Sequence, residues 1–205
     1  MKSSTEVRNE INDYQDTIFA ILGFVNFYRF DDQKRQHRDD VVVFQGRRLT
    51  PSPQKATTPE GNSVEFVTPD FGVLYEEGQG VLGDVKKSFP RDQTLWIDDF
   101  RQVMSYDDDL TGWPCTDEQV ERHDVVLLTH QSRVVDVCDY YQQRAGTGDI
   151  TFTRPFIIVE FNRSGEARDF FFFRKHFGEL SHTDLSNRLR RGVEVPMNAF
   201  VESYS

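Results

Sequence analysis

Two aspartates and a lysine stand close together on two segments that predict a β-hairpin. Residues 67–75 and 81–86 are strand-like, and residues 76–80 have the composition of a turn. A hairpin folded about Gly78 would place Asp70 opposite Lys86. Asp84 and Lys86 are two residues apart on one strand, so their side chains are predicted to share a face.

These three groups suit the hydrolysis of a phosphodiester. Carboxylates bind hard divalent cations, and an ammonium group contacts a phosphate or an attacking water. Asp84 is the most informative of the three, because aspartate is depleted in strands and this one lies in an apolar run. Asp70 beside a proline and Lys86 on a strand also have ordinary explanations, as a turn residue and an edge-strand residue.

The pattern Pro69-Asp70 and Asp84-Val85-Lys86 resembles the signature of the PD-(D/E)XK nuclease superfamily. Gln102 and Tyr106 follow on a predicted helix, where positions i and i+4 share a face. They are similar to the Q-x-x-x-Y motif of the RecB-like branch. The matched positions extend from about residue 6 to residue 106.

The resemblance implies an α/β restriction-endonuclease-like core, in which a mixed β-sheet is flanked by helices, and a Mg²⁺ or Mn²⁺ cofactor. It implies that Asp70, Asp84 and the carbonyl of Val85 bind the metal ion. An acidic residue of the first helix would be a further ligand, and either Glu10 or Glu6 fits that place. The metal ion would polarise the scissile phosphate and lower the pKa of the attacking water.

The resemblance also implies roles for the remaining matched residues. Lys86 would orient the attacking water or offset the growing negative charge, and Gln102 and Tyr106 would position substrate or water. The expected function is metal-dependent nuclease activity, with DNA favoured over RNA as the substrate. Two alternatives stay open. One is a non-catalytic nuclease-fold module that binds nucleic acid or a protein partner; a protein partner or a homodimer also stays open for the nuclease. The other is a cap-snatching-like RNA endonuclease, for which His37 is the candidate histidine.

The formal net charge of −10 sets a limit on nucleic-acid binding, because phosphate contacts need Lys and Arg. The basic residues are nevertheless clustered, so binding is expected to be modest and sensitive to salt. The clusters are Arg29, Lys34, Arg35 and Arg38; Arg47 and Arg48; Lys86, Lys87 and Arg91; and Arg188, Arg190 and Arg191.

Other enzyme signatures in the sequence are excluded by the residues around them. Residues 78–83 spell G-x-G-x-x-G, but they lead into a strand rather than a helix, as a dinucleotide site would require. Residues 70–72 spell the D-F-G of protein kinases, but in a kinase D-F-G lies far downstream of the glycine loop, whereas here it precedes residues 78–83. The five histidines show no zinc-ligand spacing, and the sequence contains no G-x-S-x-G serine elbow.

The order of predicted elements is that of one α/β domain over residues 1–184, with a polar tail or linker at 185–205. The predicted helices are 3–28, 92–106 and 133–144, the predicted strands beside the motif hairpin are 41–44 and 124–129, and an added C-terminal hairpin joins 156–161 to 169–173. Cys115 and Cys138 suggest neither a disulfide framework nor a zinc site. No apolar run is long enough for a membrane span, so a cytoplasmic location without membrane contact is expected.

Overall fold

The structure is a computed structural model. It describes residues 17–18, 20–24, 30–31, 36–37, 41–51, 66–75, 79–114, 120, 122–163, 170–177 and 193–196. Glu6 and Glu10, the two candidate helix ligands, lie outside these ranges, as does most of the predicted first helix. Residues 17–18 and 20–24 of that helix are helical and are called α1.

Within the described ranges, two further α-helices and eleven strands follow α1. The helices are α2 (Trp96–Met104) and α3 (Val134–Thr147). The strands are β1 (Phe30–Asp31), β2 (Gln36–His37), β3 (Val41–Gln45), β4 (Thr50–Pro51), β5 (Phe71–Tyr75), β6 (Gln79–Lys86), β7 (Leu110–Thr111), β8 (Arg122–His130), β9 (Phe156–Arg163), β10 (Phe170–Phe177) and β11 (Val193–Pro196).

Seven of these strands form one mixed sheet in the order β11-β10-β9-β8-β6-β5-β3. Strands β6, β8 and β9 are parallel neighbours, while the pairs towards both edges are antiparallel. Helix α2 lies in the connection from β6 to β8, and α3 lies in the connection from β8 to β9. The prediction of a mixed α/β chain with a mixed sheet is therefore confirmed.

Alternate residues of the central strands face two different layers, as strand geometry requires. On one face Leu82 and Leu127 belong to a buried cluster that includes Phe100 of α2 and Tyr140 of α3. On the other face the ring of Phe71 lies 5.6 Å from that of Phe24 in α1. Helices thus cover both faces of the sheet, and the face towards α2 and α3 carries Asp84 and Lys86.

The motif hairpin forms as strands β5 and β6, but its predicted register was wrong by two residues. Phe71 pairs with Gly83, so the register continues to Asp70 opposite Asp84 rather than opposite Lys86. The physical reason is a close fit of aromatic rings over glycines: a Cβ atom at Gly83 would lie 2.2 Å from Cζ of Phe71, and one at Gly72 would lie 2.1 Å from Cζ of Phe44. A shift by two residues leaves every side chain on its predicted face.

The predicted later elements also form. Asp92 caps a short 3-10 turn that leads into α2, accepting a hydrogen bond from the N–H of Thr94 at 2.9 Å. Helix α3 continues to Thr147 and ends at Gly148, whose φ of 79° is left-handed. Strands β9 and β10 form the predicted C-terminal hairpin as part of the main sheet, and β11 lies inside the segment predicted to be a tail. Across the described ranges, no helix has both the length and the apolar composition needed to cross a membrane.

Candidate active site

The structure brings five of the predicted site residues together: the side chains of Asp84, Lys86, Gln102 and Tyr106 form one network, and Asp70 lies beside it, bonded to the backbone N–H of Val85. Asp70 immediately precedes β5, Asp84 and Lys86 lie on β6, Gln102 lies on α2, and Tyr106 lies in the turn after α2. Helix α2 packs Trp96, Phe100 and Val103 into the core. Gln102 on this helix and the buried Tyr106 in the turn after it both contact Asp84 near the carboxyl end of β6.

Asp84 lies at the centre of the network and is completely buried. Its Oδ1 accepts a hydrogen bond of 2.7 Å from the hydroxyl of Tyr106, and Nε2 of Gln102 lies 3.5 Å from the same oxygen. Its Oδ2 lies 3.2 Å from Nζ of Lys86, but it accepts no well-formed hydrogen bond from any described residue. Buried polar atoms usually have hydrogen-bond partners. A buried carboxylate oxygen with an incomplete set of partners is therefore a candidate ligand for a cation.

Asp70 lies beside Asp84 and is half-buried. Its Oδ2 accepts a hydrogen bond of 2.8 Å from the backbone N–H of Val85. Burial and the negative charge of Asp84 raise the pKa of Asp70 above its ordinary value of 3.8, although the Val85 N–H and the charge of Lys86 act in the opposite direction. The two carboxylates therefore repel each other, and a cation between them would relieve that repulsion.

The donor set fits a divalent cation on chemical grounds, since two adjacent carboxylates and a backbone carbonyl are oxygen ligands of the kind that Mg²⁺ and Mn²⁺ prefer. Within the described ranges, no three His, Cys, Asp or Glu side chains cluster closely enough to hold a metal ion. The described residues would therefore provide two carboxylate ligands for a cation, Asp70 and Asp84.

Lys86 is held by three acceptors. Its Nζ lies 3.2 Å from Oδ2 of Asp84 and 3.2 Å from Oδ1 of Asp99, and it donates to Oε1 of Gln102 at 3.1 Å. Burial alone would lower the pKa of Lys86, but Asp84 and Asp99 outweigh it and raise that pKa. Because its side chain is 19% exposed, Lys86 presents a fixed positive charge at the surface of the site.

Gln102 and Tyr106 connect the lysine to the buried carboxylate. Nε2 of Gln102 donates to the hydroxyl of Tyr106 at 3.3 Å, and that hydroxyl lies 3.4 Å from the carbonyl of Thr68. Burial and Asp84 raise the pKa of Tyr106 far above its usual value. The phenol is therefore a permanent donor that orients Asp84.

Two residues next to Lys86, one in the network and one beside it, were missed at the sequence level. Asp99 precedes Gln102 by three residues and Tyr106 by seven, so the helix-face argument that selected those two residues also applies to Asp99. Thr129 pairs with Lys86 across the parallel strands β6 and β8, is fully buried, and has a hydroxyl without a partner among the described residues. No sequence signal indicates Thr129, because parallel pairing joins distant segments.

The turn that carries Tyr106 is anchored from two sides. Nε2 of His123 donates to the Tyr106 carbonyl at 2.6 Å. The carboxylate of Asp107 accepts from the backbone N–H groups of Thr153 and Arg154 at 2.7 and 2.8 Å. Burial, together with the nearby charge of Arg154, lowers the pKa of His123 to about 4, so the ring is neutral at pH 7. His123 is thus a positioning residue.

Two groups with possible reactivity lie outside the network. Cys138 on α3 is a free, buried cysteine, and burial raises the pKa of its thiol to about 12, so it is not an activated nucleophile. His37, the candidate histidine of the cap-snatching alternative, lies on the short strand β2, which pairs with β1 outside the main sheet.

Comparisons with family models, with curated protein sequences and with solved structures found no match. The chemistry of the network is therefore the basis on which a function is proposed.

Proposed function

We propose that this protein is a Mg²⁺- or Mn²⁺-dependent nuclease that hydrolyses phosphodiester bonds in DNA on a restriction-endonuclease-like core of the PD-(D/E)XK type. One observation carries the proposal: Asp84 is completely buried, its Oδ2 is contacted among the described residues by the ammonium of Lys86 at 3.2 Å, and a second carboxylate, Asp70, lies beside it. Aspartate is almost never fully buried unless its charge is paired, and the lysine that pairs with Asp84 is shared with Asp99.

Asp70, Asp84 and the Val85 carbonyl would hold the metal ion, and Glu10 or Glu6 would add a further oxygen ligand. The chemistry that a bound divalent cation supplies is polarisation of the phosphate and a lower pKa of the attacking water. The protein's own part begins with Tyr106, whose hydroxyl binds Oδ1 of Asp84 and so leaves Oδ2 directed to the site.

Lys86 provides the positive charge that phosphoryl chemistry requires. Its ammonium is kept protonated by Asp84 and Asp99 and is close enough to the carboxylates to orient a water or stabilise charge that develops on the phosphate. Gln102 holds the ammonium in place through its Oε1 atom. A fixed donor of this kind costs little reorganisation during the reaction.

A non-catalytic binding module is the second candidate, and one observation favours it. The ammonium of Lys86 already contacts three oxygen atoms within the protein. Its charge is therefore balanced without a bound phosphate. A module of this kind would bind nucleic acid or protein through other surfaces, and it would show no cleavage.

The experiment that tests the proposal measures cleavage and metal binding on the same variants. Single-stranded, duplex and branched DNA and single-stranded RNA are incubated with the protein with and without Mg²⁺ or Mn²⁺. Cleavage by the wild-type chain should require the cation, and Asp84→Asn should lose at least about 10²-fold in rate. Ca²⁺ should bind yet support little turnover, because its looser coordination positions water poorly.

The matched control is Asp98→Asn, which removes the same charge from an exposed position of α2 that pairs with Arg101. This variant should cleave like the wild-type chain. Thermal unfolding in Mg²⁺ gives the second readout, because a bound cation stabilises the folded state. The proposal fails if Asp84→Asn cleaves as fast as the wild-type chain, or if the wild-type chain shows neither cleavage nor stabilisation by Mg²⁺ and Mn²⁺.

A further inference from the structure

Phe66, Arg47 and Arg48 form an exposed patch that the network does not use. Phe66 is 42% exposed and is the one aromatic residue among the large exposed hydrophobic side chains of the described ranges. The guanidinium of Arg48 lies over its ring, with Cζ 4.3 Å from the ring centroid. Nε of Arg47 donates to the carbonyl of Gly112 at 2.6 Å. These three residues are called the aromatic–arginine patch.

Phe66 of the patch lies on the segment that leads to Asp70 of the candidate active site. Along residues 66–70 exposure alternates: Phe66 and Thr68 are exposed, Val67 and Pro69 are buried, and Asp70 is half-buried. Four residues of chain span at most about 14 Å, so the Cα atom of Phe66 lies within that distance of the Cα atom of Asp70.

The segment that carries the patch is also fixed in place. Val67 exchanges two backbone hydrogen bonds of 2.8 and 2.9 Å with Leu49, the residue after Arg48. The Thr68 carbonyl lies 3.4 Å from the hydroxyl of Tyr106. The patch and the site are therefore joined through short, hydrogen-bonded connections.

The arginines of the patch differ from many others in this acidic chain. Arg101, Arg133, Arg144 and Arg154 each pair with an aspartate. Arg47 and Arg48 have no carboxylate partner in the described part of the chain, although both are exposed. No described carboxylate neutralises their positive charge, which would attract an anionic ligand.

We infer that the aromatic–arginine patch binds a single strand of DNA and leads it to Asp70. This inference rests on the proposed nuclease function, from which the choice of DNA follows. Base faces in a duplex are covered by their neighbours, whereas in a single strand they stack on aromatic rings and on guanidinium planes. Phe66 would stack on a base, Arg48 would extend the stacking surface, and Arg47 would contact a phosphate.

The test measures binding separately from cleavage. Fluorescence anisotropy is recorded in EDTA with a labelled single-stranded DNA oligonucleotide, the same sequence as a duplex, and the same sequence as RNA. The single strand of DNA should bind most tightly. Phe66→Leu should weaken its binding by roughly 5- to 100-fold, the range for loss of one stacked base, and Phe66→Tyr should retain it because the ring is kept.

Arg48→Gln should also weaken binding, whereas Arg122→Gln should not. Arg122 is an exposed arginine at the start of β8, and it lies seven residue pairs along the strand from the pair of Lys86 and Thr129, which is roughly 23 Å. The two arginine variants remove the same charge, so a difference between them reports location. Thermal unfolding of each variant verifies that the fold is intact, as expected for exposed positions.

The outcomes separate this inference from the proposed function. Loss of binding in Phe66→Leu without cleavage by any form of the protein would support the patch and remove the nuclease proposal. Metal-dependent cleavage together with unchanged binding by Phe66→Leu would support the nuclease proposal and overturn the inferred role of the patch. The inference is overturned if the wild-type chain does not bind the single strand, or if the duplex or the RNA binds more tightly.

Discussion

Asp84 is the residue around which the candidate site is organised. Its position in an apolar strand was unusual in the sequence, and the structure explains it: the side chain is buried, and a tyrosine, a glutamine and a lysine surround it. Asp70 contributes the second carboxylate, and its pKa is raised by burial and by the charge of Asp84. Such mutual repulsion is a frequent property of sites that bind cations or transfer protons.

The first prediction concerns Asp70 and pH in the absence of divalent cations. Because the folded pKa of Asp70 lies above 3.8, the folded protein binds this proton more readily than the unfolded chain does. Stability is therefore lost as the pH rises from 3.8 through the folded pKa. Asp70→Asn keeps an acceptor for the Val85 N–H and removes the charge, so it should unfold at a higher temperature than the wild-type chain at pH 7.

The check is thermal unfolding of both proteins in EDTA between pH 7 and pH 4. The stability gain of Asp70→Asn should shrink steadily towards acid, and added Mg²⁺ should stabilise only the wild-type chain. A variant that is less stable than the wild-type chain at pH 7 would show that the two carboxylates do not repel each other.

The second prediction separates the roles of Lys86. If its ammonium orients water or stabilises charge, Lys86→Met should retain metal and substrate binding while turnover falls by roughly 10²- to 10⁴-fold. Lys86→Arg should restore little activity, because a planar guanidinium does not replace a compact ammonium. Single-turnover cleavage and metal titration measure the two effects separately. Wild-type rates in Lys86→Met would show that the ammonium of Lys86 takes no part in the reaction.

Secondary structure was predictable where local pattern determines it. The motif hairpin and α2 follow from the composition of residues 67–86 and from the capping residue Asp92. The register of β5 on β6 was not predictable, because it depends on the fit of Phe71 over Gly83 rather than on turn length alone. Asp99 was detectable from helix periodicity, whereas Thr129 reaches Lys86 only through a parallel pairing that no local pattern specifies.

The third prediction tests the fit between β5 and β6. Gly83→Ala would place a Cβ atom 2.2 Å from the buried ring of Phe71, so overpacking should lower the free energy of unfolding by about 1–3 kcal/mol. Gly146→Ala is the control: no atom lies within 4 Å of its Cβ position near the end of α3, and removing a helix glycine should stabilise by about 0.5–1 kcal/mol. Urea denaturation measures both. A neutral Gly83→Ala would show that the ring does not fix the register.

The fourth prediction concerns the anchor between β8 and the end of α2. The pKa of His123 falls from 6.5 to about 4 on folding, so the unfolded chain takes up this proton first. Stability is complete above pH 6.5 and is lost as the pH falls towards 4, by on the order of 3 kcal/mol. His123→Gln, which still offers a donor to the Tyr106 carbonyl, should remove this contribution. The difference in unfolding free energy between the two proteins, measured from pH 7.5 to pH 4, should therefore change across this interval and stay constant above it.

The molecule as a whole carries a net charge of −10, which conflicts with binding a polyanion unless positive charge is concentrated locally. The described arginines resolve this conflict in part. Four of them pair with aspartates and contribute little outward charge, while Arg47 and Arg48 pair with no carboxylate of the described ranges. Affinity for DNA should then come from few contacts and be modest.

The fifth prediction is that added NaCl acts in opposite directions on stability and on binding. Salt screens the self-repulsion of an acidic chain, so unfolding should require more heat as NaCl rises from 20 to 300 mM. The same salt should weaken binding to single-stranded DNA, with a slope of log affinity against log salt near −0.7 for each phosphate contacted. Arg47→Gln should reduce that slope by about one contact, whereas Arg122→Gln should leave it unchanged. Thermal unfolding and anisotropy titrations at each salt concentration supply both quantities. Tight binding that does not respond to salt would contradict electrostatic recognition and would instead favour a module that recognises its partner through uncharged contacts.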